Sequence, residues 1–251
     1  GAVKDALLFN VDRMRINLSN LEAIIISHGH RDHTAATVEL ARRSRRRVKV
    51  IAHPHTFKKR FVVAKDGKKR FTRVPKGERE KDIEESGAEL ILTRERCEII
   101  SGVTTTGEIA RLTRFEKTPE RLFILLGGQA QRDHLLDDQA LIINVRGQGA
   151  WVLSGCAHSG IINTLRRVEH LAPSLPIHAI VGGLHLVSKR EREIEPVVSA
   201  LKSYEPKLVS PSHCTGFRAT KMIWDAFEEE FVLNFAGRTI VSQKVTRPNV
   251  I

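Results

Sequence analysis

Residues 27–34 read SHGHRDHT, which puts three histidines and an aspartate, His28, His30, His33 and Asp32, into six positions. They follow LEAIII (21–26), a short continuous apolar run rich in isoleucine, the pattern of a strand covered on both faces in an α/β layer. A strand end carrying H-x-H-x-D-H presents nitrogen and carboxylate donors in alternating directions, so one turn can serve two adjacent cations. His28 and His30 then face one ion, and Asp32 and His33 the other. Imidazole and carboxylate suit zinc, and equally iron or manganese. Four ligand-type side chains at this spacing behind a buried strand point to a metal centre rather than to scattered surface or core histidines.

Working outward, Thr34 can cap a helix over 35–44 with Val38, Leu40 and Ala41 on its apolar side, and 48–52 reads as a second strand. The Asp66–Gly67 pair between alternating segments predicts a hairpin over 61–74. A short helix over 82–86 stops at Gly87, before strands at 89–92 and 98–100. In the second half, 141–145 and 151–153 flank RGQGA as a hairpin. Helices over 161–171, 191–203 and 220–229 then alternate with strands at 177–181 and 208–210. This order predicts an α/β fold in one domain spanning 1–251, with an insertion or loop region at about 57–138. The polar stretch 111–138, which contains TPE and GG, reads as a long active-site loop.

No apolar run in the 251 residues approaches the ~20 needed to span a bilayer, which argues against a membrane protein. Three widely spaced cysteines, Cys97, Cys156 and Cys214, fit reduced thiols and a cytoplasmic setting better than a disulfide framework. A net charge of +12 suits anionic partners. The charge is concentrated in Arg42, Arg43, Arg45, Arg46, Arg47 and Lys49, and again between Lys58 and Arg70. Both clusters can equally be solvated faces.

A metal pair needs donors from distant loops, and three histidines follow apolar strands among small residues. They are His158 in SGCAHSG, His185 in VGGLHL and His213 in SPSHCTG. These stretches occur in one order with SHGHRDHT, HPHTFKKR (53–60), SGAELIL (86–92), TTGEIAR (105–111) followed by Phe115 and Glu116, and DDQALIINV (137–145). Together they resemble the metallo-β-lactamase superfamily, in the branch of 7,8-dihydropterin-6-methyl-4-(β-D-ribofuranosyl)aminobenzene 5′-phosphate synthase-like proteins. The resemblance implies an αββα sandwich and two divalent metal ions, with zinc the first choice. It implies that His28, His30 and His158 hold one ion and that Asp32, His33 and His213 hold the other. Asp32 and His185 are the candidate catalytic residues, His185 orienting substrate or stabilising charge unless it is a structural histidine.

Two departures stand out. Where many superfamily enzymes place a bridging aspartate, this chain reads SGCAH, so Cys156 is either a soft donor near the site or a packed, inert thiol. Relatives also open with a pair of strands and an Asp-Thr-Gly turn, of which Gly1 matches the last residue. The implied domain therefore lacks its N-terminal strands in the numbered chain, and an uncovered sheet edge and a homo-oligomer are expected. Smaller changes put Ala35 and Ala36 where glycines are usual and Ala110 where proline is usual.

The implied reaction releases diphosphate from a hydroxymethyl-dihydropterin diphosphate as an aromatic carbon of the ribofuranosylaminobenzene phosphate attacks the methylene. The partner is a phosphorylated small molecule, with Arg111, Arg114 and Lys117 as candidate phosphate contacts. A metal-dependent phosphodiesterase or nuclease is the alternative, with nucleic acid tracked by the arginine cluster. Its weakness is that the chain has one Tyr and two Trp and no basic stretch interleaved with aromatics for stacking. A non-catalytic metal-binding protein is the third reading.

Overall fold

The computed structural model describes residues 4–72 and 74–242; Gly1, matched above to the end of an Asp-Thr-Gly turn, lies outside them. The first half runs α1 (Lys4–Arg13), β1 (Ala23–Ile25), α2 (Arg31–Thr34), α3 (Thr37–Arg42), β2 (Lys49–Ala52), β3 (Arg60–Val63) and β4 (Lys69–Thr72). It continues through α4 (Glu80–Glu85), β5 (Glu89–Leu92), β6 (Glu98–Ile100) and β7 (Val103–Thr105). The second half is β8 (Leu122–Leu126), β9 (Gln129–Arg132), β10 (Ala140–Val145), β11 (Gly149–Ser154) and α5 (Ile161–Leu171). It closes with β12 (Ile177–Gly183), α6 (Glu191–Lys202), β13 (Leu208–Ser212) and α7 (Phe217–Phe227).

β1, β2 and β5 pair in parallel, with β1 at one edge among the described residues. Val38 and Ala41 of α3 and Ile83 of α4 cover Val48, Val50 and Ala52. The larger sheet has the order β13-β12-β11-β10-β7-β6. Its parallel strands β11, β12 and β13 are joined through α5 and α6, as parallel neighbours require a crossover. These helices and α7 repeat their buried residues at helical spacing: Ile161, Leu165 and Val168, then Ile194, Val197 and Leu201, then Ala219, Ile223 and Phe227. All pack on Val152, Ile180 and Val209, and each fully buried aliphatic side chain contributes about 1.5–3 kcal/mol. Trp151, Ala179 and Leu208 pack with Val232 in a separate cluster, so β11 is buried on both faces.

The structure corrects the reading of 111–138 as a loop. Leu122–Leu126 and Gln129–Arg132 are antiparallel strands joined by the two-residue turn Gly127–Gly128, both at positive φ. β8 pairs with β3, so two hairpins distant in sequence form a four-stranded sheet in the order β4-β3-β8-β9. Of the helix expected over 35–44 only α3 forms, and a separate short α2 precedes it across Ala35 and Ala36. Ala36 has φ 89° and gives its N–H to Glu78, which also accepts from Val38. The last helix begins at Phe217, a turn earlier than read. Helix α1 was not anticipated, because only Val11 of it is buried and its periodicity is faint.

Candidate metal centre

The donor residues leave the C-terminal ends of β1, β11, β12 and β13, the edge at which open α/β sheets gather ligands. Ala157, His185 and His213, all in these turns, have φ between 50° and 53°, a conformation that costs non-glycine residues energy and that tends to mark functional loops.

Six of the candidate side chains converge in two adjoining triangles. In the first, His28 Nε2, His30 Nδ1 and His158 Nε2 lie 3.0, 3.0 and 3.1 Å apart. In the second, Asp32 Oδ2, His33 Nε2 and His213 Nε2 are separated by 3.2 Å on each side. The rings of His28 and His33 join the two, with centroids 4.1 Å apart. Burial holds the His28 and His158 imidazoles well below their ordinary pKa, reinforced by neighbouring histidines, and lowers His33 to about 4. Three neutral imidazole nitrogens facing one another cannot all be hydrogen-bonded, because a proton shared by one pair leaves the third facing lone pairs. A four-coordinate cation with bonds of about 2.0–2.1 Å would set its nitrogens about 3.3 Å apart, close to what is seen, so the donor set fits a divalent ion.

Residues that sequence reasoning passed over hold this arrangement in place. Ser27 Oγ lies 3.1 Å from His28 Nδ1 and 3.3 Å from His33 Nδ1, which leaves both Nε2 atoms free to face inward. Asp137 accepts the Gly29 N–H at 2.7 Å and pairs with Arg60, which also donates to Asp133 at 2.7 Å. A Cβ at position 29 would strike the Thr56 carbonyl and the Arg60 guanidinium, so glycine between the two histidines is a packing requirement. Asp138 accepts the Ser159 N–H at 2.8 Å beside His158, and its complete burial pushes its carboxyl up to about 6. Consecutive carboxylates thus tie down both ligand-bearing turns. Glu116 accepts the Ile162 and Asn163 N–H groups at the start of α5. The DDQ and Phe115–Glu116 stretches carried this signal, but nothing local says which backbone they bind.

A cleft of about 290 Å³ opens on His30, His158 and His185, walled by Phe61 and Phe123, whose rings stack 5.1 Å apart. Lys117 and Lys189 line it. The structure does not bring Arg111 and Arg114 there: Arg111 is half-buried and donates to the Leu135 carbonyl at 3.4 Å, and Arg114 is exposed elsewhere. His185 stands outside both triangles, its ring 4.1 Å from that of His158 and its Nδ1 buried without a partner. Cys156 is buried with Sγ 3.3 Å from His33 Nε2. The Cys214 thiol donates to the Cys156 carbonyl at 3.6 Å, and the closeness of the two thiols pushes the Cys156 thiol up and draws Cys214 down.

The family model described as the metallo-beta-lactamase superfamily matches residues 4–102. The 7,8-dihydropterin-6-methyl-4-(beta-D-ribofuranosyl)-aminobenzene-5'-phosphate synthase of Methanocaldococcus jannaschii is 31% identical over 239 residues, 94% of this chain and 80% of that protein. This chain belongs to the metallo-β-lactamase superfamily, in the branch of that synthase. The uncharacterized protein MJ0448 of the same organism is 27% identical over 86% of the chain and 77% of its own length. Among solved structures, Tm1679, titled a metal-dependent hydrolase of the beta-lactamase superfamily, superposes with a TM-score of 0.79. It has 24% identity over 95% of this chain and 85% of that one. The fold is therefore the superfamily's α/β sandwich, which goes with divalent metal binding. No helix of the described residues is long and apolar enough to cross a membrane.

Proposed function

We propose that this superfamily member is a metal-dependent transferase that joins a dihydropterin methylene to a ribofuranosylaminobenzene 5′-phosphate with release of diphosphate. The observation that carries the reading is the pairing of two convergent donor triangles with an aromatic, lysine-edged cleft beside them. The 31% identity to the methanogen synthase supports it. His28, His30 and His158 would hold one divalent ion, and Asp32, His33 and His213 the other, with zinc the natural choice for this nitrogen-rich set. Bound there, such ions neutralise and polarise phosphoryl oxygens.

The chain's own groups do the rest. Lys117 and Lys189 meet the charge of the departing diphosphate, and the stacked Phe61 and Phe123 give a planar ring an apolar wall. The attacking atom is better assigned to the amine nitrogen than to a ring carbon, because its lone pair attacks without loss of aromaticity. The C–O bond to diphosphate breaks as the C–N bond forms, and the nitrogen sheds a proton. His185, the cleft imidazole outside both triangles, would take it.

Incubation of the metal-loaded protein with the pterin diphosphate and the aminobenzene phosphate should release diphosphate, with loss of that activity in His185→Ala. Cleavage of single-stranded nucleic acid with no diphosphate release would favour the hydrolase reading instead. The arginine cluster gives that reading little help, since Arg43 is paired with Asp12 and Glu39 and Arg46 with Glu22.

A further inference from the structure

The metal-side cleft continues into a second, open depression, and the two share Val62 and Arg121. Lys65, Arg70 and Arg121 line this outer depression against one carboxylate, Asp66, which is engaged with the Lys68 N–H in the hairpin turn. Among the described residues none of these three exposed cations makes an ion pair, whereas Arg60 at the inner end of the same strand is paired twice. Strand pairing explains their convergence: Val62 lies opposite Arg70 on β4 and opposite Leu122 on β8, and Arg121 accepts the Val63 N–H through its carbonyl. β3 thus runs from Arg60, beside the donor triangles, to the unpaired cations near the hairpin tip. Arg70, opposite Val62, is two residue steps along from Arg60 and Lys65 is five, roughly 7 and 16 Å at about 3.3 Å per step.

From this we infer that the depression of Lys65, Arg70 and Arg121 is the subsite for a phosphate monoester at the far end of an aromatic substrate whose reacting end lies by the metal triangles. The inference rests on the transferase reading for the substrate's identity. A ring, a pentose and a phosphate in line, each on the order of 4–5 Å by ordinary bond lengths, span the strand from Phe61 and Phe123 to the hairpin. Arginine at two of three positions suits the bidentate geometry of a phosphate. A small phosphate is favoured over a polyanion because the cations surround one depression continuous with the cleft rather than forming a stripe.

The test is calorimetric titration of the full, zinc-loaded chain with 4-(β-D-ribofuranosyl)aminobenzene 5′-phosphate and with the unphosphorylated riboside. The wild type should bind the phosphorylated compound at least tenfold more tightly. The double variant Arg70→Glu/Arg121→Glu should lose that preference while keeping the riboside's affinity within about twofold and an unchanged metal content. A variant with Arg45, Arg46 and Arg47 made Ala should behave as wild type. No wild-type preference, or equal loss for both ligands in the double variant, would each overturn the subsite. A phosphate preference that depends on Arg70 and Arg121, in a protein that releases no diphosphate from the substrate pair, would uphold the subsite and remove the transferase reading alone.

Discussion

Asp32 carries the one negative charge in the second triangle, and its side chain is partly exposed at the mouth rather than built into the core. Asp32→Ala should therefore cut bound metal and abolish turnover while the protein stays folded, which metal analysis and circular dichroism on one sample would test. The histidines make the metal-free protein acid-sensitive in a defined window. His33 titrates near 6.5 when unfolded and near 4 when folded, so below about pH 6.5 the unfolded chain takes up a proton that the folded one refuses. Stability is full above that pH and falls as acid is added towards pH 4, by on the order of 1–3 kcal/mol from His33, with His28 and His158 shifted in the same direction. Denaturant midpoints of chelated protein at pH 7 and pH 5 should differ accordingly; equal midpoints would refute the argument.

Turns between elements place the donors, and two backbone positions there make opposite predictions. Ala36 is fully buried at φ 89°, a conformation glycine adopts freely, and left-handed strain costs an L-residue about 1–2 kcal/mol. Ala36→Gly should leave the melting temperature unchanged or raise it, since relief of strain offsets the glycine's extra unfolded-state entropy. Gly29→Ala should do the reverse, because its new methyl meets the Thr56 carbonyl and would push His28 and His30 out of register. A loss of about 1–3 kcal/mol with weaker metal binding is expected, read by thermal unfolding with and without zinc. The Gly127–Gly128 pair shows how an element can be legible yet passed over. LFILL before GG and QAQR after it is a hairpin pattern, but β9 is polar and exposed, so no apolar alternation marked it as a strand.

At the scale of the molecule, Arg60 binds the four-stranded sheet to the ligand-bearing turns. It starts β3, is 4% exposed, and pairs with Asp133 and Asp137 from the approach to β10. Arg60→Ala would strand two buried carboxylates and should cost about 3–5 kcal/mol in chemical denaturation, with a further loss of metal because Asp137 holds Gly29. Much of the fold and of the site was legible locally. SHGHRDHT behind an apolar strand, the apolar stripes of α5 and α6, and histidines among small residues after β11, β12 and β13 pointed to α/β layers and to a candidate metal edge, where the donors do converge. Spacing alone carries those signals, because donors two to five residues apart on one turn must share a neighbourhood whatever the rest of the chain does. What the sequence could not supply was anything that depends on which distant backbones meet. The β3–β8 pairing, the assignment of Asp137 and Asp138 to separate ligand turns, and the seclusion of Arg111 while Lys117 faces the cleft are such cases. A charged side chain looks the same in sequence whether it meets solvent, a buried partner or a substrate, and only the packed chain decides between them.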